Sequence, residues 1–248
     1  MIAERDSQHR LAKLAIILAL ALMGQFIARW IAGRSAVGVS APAQHASVAL
    51  DWILLVCVPF AMLAAPTLAL SPTPLLDRIL RRDAVASQLN RAFYRSLVLV
   101  LGSLASGLIL LMLPHPQIAS SDPSTDALVP LPVALMLAVA APLREEVEFR
   151  LAMLTVVGWI LFRLIRRRSI SLVLANLAQA LLFGIAHQVA GFTARSSVTF
   201  AGALLDPRTV AGFIFGYGYI RYGLEVAIIA HAIYDGAIST AVSVFAHS

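Results

Sequence analysis

Charge is scarce in this chain. Only 13% of its 248 residues are Asp, Glu, Lys or Arg, while 60% are hydrophobic, which excludes an ordinary soluble domain, where about a quarter are charged. Cysteine is nearly absent as well. Cys57 is the only one and lies in an apolar run, so an intrachain disulfide and a metal–thiolate cluster are both excluded. No soluble domain, internal repeat or low-complexity tail interrupts the apolar character. The formal charge of +6 does not point to nucleic acid, because most Arg and Lys sit in short segments beside apolar runs, where they set membrane topology.

What is present is a succession of apolar runs, each near the 20 residues that cross a hydrocarbon core. The fold class is all-α: a polytopic helical membrane protein with roughly seven to eight membrane helices, multi-pass in the cell membrane, with the lipid bilayer as its first partner. A single membrane domain, 1–248, is expected, with N-terminal spans over 1–127 and a polar-motif-bearing core over 128–248. Residues 1–13 are net basic and 14–28 apolar. Arg29 and Arg34 follow without a small-residue cleavage site, so the first span is read as uncleaved. A small-residue loop, 35–47, leads to a second run, 48–70, in which Pro59 and Pro66 predict kinks and Asp51 an interfacial cap. Residues 71–95, with five arginines, read as a cytoplasmic loop, 97–113 as a span and 114–126, without Lys or Arg, as a turn-rich loop on the opposite side.

The run from 128 to 165 is too long for one crossing, about 57 Å as a straight helix. Pro142 is the expected break: the piece before it is short, tilted or re-entrant, and 143–165 crosses. Residues 169–189 cross back, 191–208 form a polar loop, 209–220 a short span and 224–245 the last one.

Against this background one stretch stands out. Pro142-Leu-Arg-Glu-Glu-Val-Glu-Phe-Arg150 packs five ionisable side chains between apolar runs. At membrane depth a charge costs on the order of several kcal/mol unless paired or hydrated, so such a cluster is a functional-site hypothesis. Glu146 and Arg150 are four apart and share a helix face, which suits a local ion pair. Glu145 lies about 100° round the helix and is free to face another partner. Glu148 is a third acid that reads as water-facing. His187 ends an antiparallel span, with Phe183 one turn before it, and can reach the depth of Glu145. His231 and Asp235, again four apart, project from one face of the last span. Singly, each has a bland reading: a packed histidine, an Asp that satisfies a ring N–H, a solvated helix end. Together, two carboxylates, two imidazoles and one further Asp suit water activation, with Glu as general base and the imidazoles binding or polarising what the water attacks.

Glu145-Glu146-x-x-x-Arg150, Phe183-x-x-x-His187 and His231-x-x-x-Asp235, in that order, resemble the three motifs of the CAAX protease and bacteriocin-processing (CPBP, Abi) family of intramembrane endopeptidases. The resemblance implies hydrolysis of a peptide bond in a membrane-anchored peptide or protein substrate, of CAAX type or leader-peptide type. It implies catalytic roles for Glu145, which activates water, His187, which helps hold it, and His231 and Asp235, which stabilise the oxyanion. Glu146, Arg150 and Phe183 are supporting residues. Many relatives carry Asn where Asp235 stands and Gly where Leu151 stands; an ionised Asp cannot donate, so Asp235 is either protonated or orients His231. No cofactor is favoured. Zinc is the alternative, with Glu145, His187 and His231 as ligands and an open position for water, although no His-Glu-x-x-His helix occurs in the chain. Other classes left open are a membrane-embedded ion or proton transporter using Asp51, Glu145, His187 and His231, and a non-proteolytic immunity or scaffold member of the same family.

Overall fold

The computed structural model describes residues 2–34, 56–81, 85–112, 130–190, 202 and 204–246. Among them the chain is all-helical. Helix α1 spans Ile2–Arg34. Helix α2, Val56–Leu68, is short and apolar; its last turn tightens over Ala65–Leu68, with Pro66 in the second position and Ala69 left-handed at φ 48° as the cap. Next come α3, Pro74–Arg81, and α4, Ala86–Met112. The region expected as a cytoplasmic loop is therefore partly helical: α3 is a short helix at the bundle's end, and α4 begins well before residue 97. Asp51 and the residues expected as loops at 35–47 and 114–126 lie outside the described residues.

Leu131–Glu145 forms α5, Glu146–Leu154 a π-helical segment, and Thr155–Ile165 forms α6, with no break between them. This corrects the expected break at Pro142. That residue sits inside α5, buried, and its own carbonyl accepts the Glu146 N–H. Proline removes one ladder donor and crowds the preceding turn; in a packed membrane bundle the helix continues where neighbours and local π adjustments re-satisfy the backbone. The adjustment begins one turn after Pro142 and lasts nine residues. Among the described residues no separate re-entrant piece precedes it; the rod of 35 residues is about 50 Å long.

Helices α7, Arg168–Ala190, α8, Pro207–Tyr222, and α9, Leu224–Ala246, complete the bundle. By length and composition α1, α4, α7 and α9 can each cross a membrane; α2, the rod and α8 add shorter or composite apolar elements, in keeping with a polytopic membrane protein. Helix α8 packs on α7, α4 and α9, while α1 and α9 pack on α5.

The α7–α8 contact explains how polar groups enter the core. Gly212 and Gly216 stand four apart on the face of α8 that meets α7: a Cβ on Gly212 would press on Phe183 at 3.1 Å, and one on Gly216 would collide with Asn176 and Gln179. Small residues in this spacing let membrane helices approach closely. The gap left by their missing side chains admits two buried amides. Asn176 Nδ2 donates to the Phe213 carbonyl at 3.0 Å and Gln179 Nε2 to the Gly212 carbonyl at 3.0 Å, cross-helix bonds of the kind that hold helices together where water is absent.

Candidate active site

The π-helical segment occupies the middle of the bundle. Eight of its nine residues are buried, including Glu146, Glu148 and Arg150, and it is packed against α7, α8 and α9. π-Helical insertions are rare and concentrate at functional sites. Here the segment presents a string of charged side chains to three neighbours at once.

Glu146 and Arg150 are both fully buried and paired, Arg150 Nε lying 3.1 Å from Glu146 Oε2. The Arg150 guanidinium also lies 4.4 Å over the Phe183 ring, a favourable cation–π position. The other Glu146 oxygen meets His231 Nδ1 at 2.8 Å. A carboxylate held by a guanidinium is an acceptor, so Nδ1 carries a hydrogen and Nε2 is turned to the opposite side of the ring. His187 is fixed in the same sense. Its Nδ1 lies 2.9 Å from the Phe183 carbonyl, which can only accept, so Nδ1 donates and Nε2 points away.

Both free edges face one carboxylate. Glu145 Oε2 is 3.6 Å from His187 Nε2 and 3.9 Å from His231 Nε2. Asp235 Oδ2 stands 3.4 Å from the same His231 nitrogen. The three motif stretches thus converge at the tip of Glu145. Phe183 lies centrally among them, with ring centroids 4.3 Å from His187, 5.7 Å from His231 and 5.2 Å from Phe149. Access is graded: the side chains of His187 and Asp235 are 29% and 31% exposed, that of Glu145 11%, and that of His231 5%.

Glu148 corrects an expectation. It is buried, not water-facing, and lies 3.3 Å from Arg144 Nε. Arg144 is one of the residues to which sequence reasoning gave no role. Its Nη2 is 3.8 Å from Glu145 Oε1, and its Nη1 donates to Gln25 Oε1 at 2.6 Å, tying the first acid of the motif to α1. The available signal was an arginine immediately before two glutamates in an apolar run. Phe215 was also missed; it stacks on the His231 ring at 5.1 Å between centroids, and nothing in the glycine- and aromatic-rich sequence of α8 separates it from Phe213.

The residues expected as ligands in the zinc alternative, Glu145, His187 and His231, stand with the carboxylate oxygen at 3.6 and 3.9 Å from the two nitrogens. This is wider than the about 3.3 Å between neighbouring ligands of a tetrahedral ion with bonds of about 2.0–2.1 Å. Among the described residues no three His, Cys, Asp or Glu side chains are grouped to hold a metal ion.

Residues 127–237 match the family model described as Type II CAAX prenyl endopeptidase Rce1-like. The matched region begins just before α5 and ends two residues after Asp235, so it contains all three motifs. No curated protein and no solved structure matches the chain.

Proposed function

We propose that this chain, a CAAX protease family member through residues 127–237, hydrolyses a peptide bond inside the membrane with a water that Glu145 activates. The family is one of intramembrane endopeptidases; the step at the reacting atoms is our reading of the geometry. The observation that carries it is the pair of imidazole Nε2 atoms turned toward Glu145 Oε2 at 3.6 and 3.9 Å, each ring fixed through Nδ1. These gaps are too long for direct hydrogen bonds. They fit one water about 2.8 Å from the carboxylate oxygen and within reach of an imidazole edge.

In this mechanism the water donates one hydrogen to Glu145 and its other to His187 Nε2. Glu145 takes the first proton as the water oxygen forms its bond to the scissile carbonyl carbon. The carbonyl oxygen becomes an oxyanion beside His231, whose imidazolium donates from Nε2 while Nδ1 stays on Glu146. Asp235 orients that ring from one turn further along α9 and does not itself donate. Glu145 then passes its proton to the leaving nitrogen, the C–N bond breaks, and a carboxylic acid and an amine result. General-base catalysis of this kind contributes roughly 10²- to 10⁴-fold, and one oxyanion donor about 10²- to 10³-fold. No step is routed through a metal.

The test uses purified protein and a membrane-delivered peptide with a fluorescent pair flanking the bond. Glu145→Gln keeps the volume and removes the base, so turnover should fall by about 10³-fold, within the general-base range. Turnover that survives in Glu145→Gln within tenfold of the parent sinks the assignment. A chelator series in the same assay reads the zinc alternative directly: loss of activity, with recovery on adding zinc, would overturn the metal-free mechanism.

A further inference from the structure

The two ends of the bundle differ in charge, and among the described residues the packing around the candidate site is tighter toward one end than toward the other. Four contacts identify the helix ends that share a face: Lys13 of α1 pairs with Asp77 of α3 at 2.5 Å; Glu225 at the start of α9 accepts from the Leu75 and Leu76 N–H groups of α3; Arg168 at the start of α7 donates to the Leu68 carbonyl that ends α2; and Arg95 of α4 lies 4.6 Å over the Tyr222 ring that ends α8. With connectivity, this puts at one end the starts of α1, α4, α7 and α9 and the finishes of α2, α6 and α8. Among the described residues, twelve Lys and Arg belong to this end, while Arg29, Arg34 and Arg208 belong to the other. Arg144 and Arg150 are in the site. An excess of this size marks the cytoplasmic side.

Between the site and this basic end the bundle is closed. Leu151, Leu154, Thr155, Gln179 and Tyr219 lie one to two turns from the site in that direction, and none is more than 2% exposed. Thr155 and Tyr219 share a 2.7 Å hydrogen bond across α6 and α8, and Gln179 is bonded to α8. Among the described residues the packing loosens in the opposite direction. His187 stands 19 residues after Arg168 and three before Ala190, so about 28 Å of α7 lies on the basic side and under 5 Å on the other. In α9, whose first turn is anchored by the Leu224 N–H on the Pro72 carbonyl, five of the residues 224–231 are buried and none of 232–244 is. The two most exposed members of the site, His187 and Asp235, are those nearest the loosely packed end.

We infer that the pocket around Glu145 opens to the extracytoplasmic side of the membrane and that its substrate is a peptide segment on that side, in the outer half of the bilayer or just beyond it. The substrate class rests on the protease reading above; the direction of opening rests on packing and charge alone. A segment delivered this way comes from an exported or membrane-inserted chain. It meets His187 and Asp235 first, and the sealed layer beneath keeps cytoplasmic water and peptides from Glu145.

Single-cysteine probes test the direction without requiring turnover. In a Cys57→Ser background, which removes the only native thiol, Asp235→Cys and His187→Cys report the pocket, Arg208→Cys the far end and Arg91→Cys the basic end. Each is treated with a membrane-impermeant methanethiosulfonate in spheroplasts and in inside-out vesicles. Asp235→Cys should react at least tenfold faster in spheroplasts, together with Arg208→Cys, while Arg91→Cys reacts only in inside-out vesicles. His187→Cys supplies the same reading if Asp235→Cys does not fold. Faster reaction of the pocket probes from the Arg91 side, or none from either side, overturns the inference. The parent protein in sealed, oriented vesicles separates the two claims. Cleavage of an impermeant peptide only from the Arg91 side refutes the access route and leaves the protease intact. Pocket labelling from the Arg208 side with no cleavage from either side refutes the protease and leaves the access route standing.

Discussion

Glu146→Gln is the most informative perturbation of the buried charge system. The wild-type carboxylate is fully buried, with Arg150 Nε 3.1 Å from one oxygen and His231 Nδ1 2.8 Å from the other. Glutamine preserves shape and can accept from His231 through its amide oxygen, but it leaves the fully buried Arg150 facing a neutral amide. Breaking a buried pair from one side costs about 3–5 kcal/mol. The Phe183 face, 4.4 Å from the guanidinium, offsets on the order of 1 kcal/mol, so a loss of about 2–4 kcal/mol is expected. Arg150→Met strands the carboxylate instead and should cost about as much. In the double variant neither charge is stranded, and stability should return to within roughly 1–2 kcal/mol of the parent. Activity should not return, because His231 then lacks an anionic partner at Nδ1. The measurement is a double-mutant cycle by denaturant unfolding in mixed micelles, run beside the peptide-cleavage assay. If the two single losses simply add in the double variant, the groups are not coupled and the pairing described here is refuted.

Three further outcomes follow from named contacts. Arg144→Ala should lower kcat by about tenfold with little change in KM, since Arg144 holds the Glu145 oxygen facing away from the imidazoles, and Gln25→Ala should reproduce part of that loss by releasing the 2.6 Å bond that fixes Arg144; equal activity in both variants and the parent would show that α1 has no hand in the site. Gly216→Ala should destabilise the bundle by at least 2 kcal/mol, because a methyl there collides with the buried Asn176 and Gln179 amides, and it should be partly rescued by Asn176→Ala; unfolding that matches the parent would refute the close α7–α8 approach. Thr155→Val and Tyr219→Phe should each cost about 1 kcal/mol and together less than the sum, as the two hydroxyls share one 2.7 Å bond; full additivity would count against that bond.

The sequence announced its polar residues far better than the backbone that carries them. Charged and imidazole side chains in apolar runs are conspicuous because burying them is expensive, and the four-residue spacings of Glu146 with Arg150 and of His231 with Asp235 were readable as shared faces. The helix through Pro142 was not readable in the same way. Proline is a breaker by local rules, and what overrides it here is tertiary: α1 and α9 pack on α5, and the lost donor is accommodated by a π segment one turn on. That segment also explains why Glu148 misled. A helix end with acids reads as solvated when only its own spacing is considered, whereas three flanking helices leave no face of residues 146–152 in water. Arg144 is the counterion this burial requires, and Gln25, which fixes it, lies 119 positions earlier in the chain, beyond any local pattern. The glycines at 212 and 216 carry the same lesson from the other side: absent side chains specify where Asn176 and Gln179 fit, and an absence is visible only when both helices are seen together. The chemistry of the site is thus a local property of three short stretches, whereas the layer packed beneath it, with Thr155, Gln179 and Tyr219, and the fixing of Glu145 through Arg144 and Gln25 belong to residues that no motif contains.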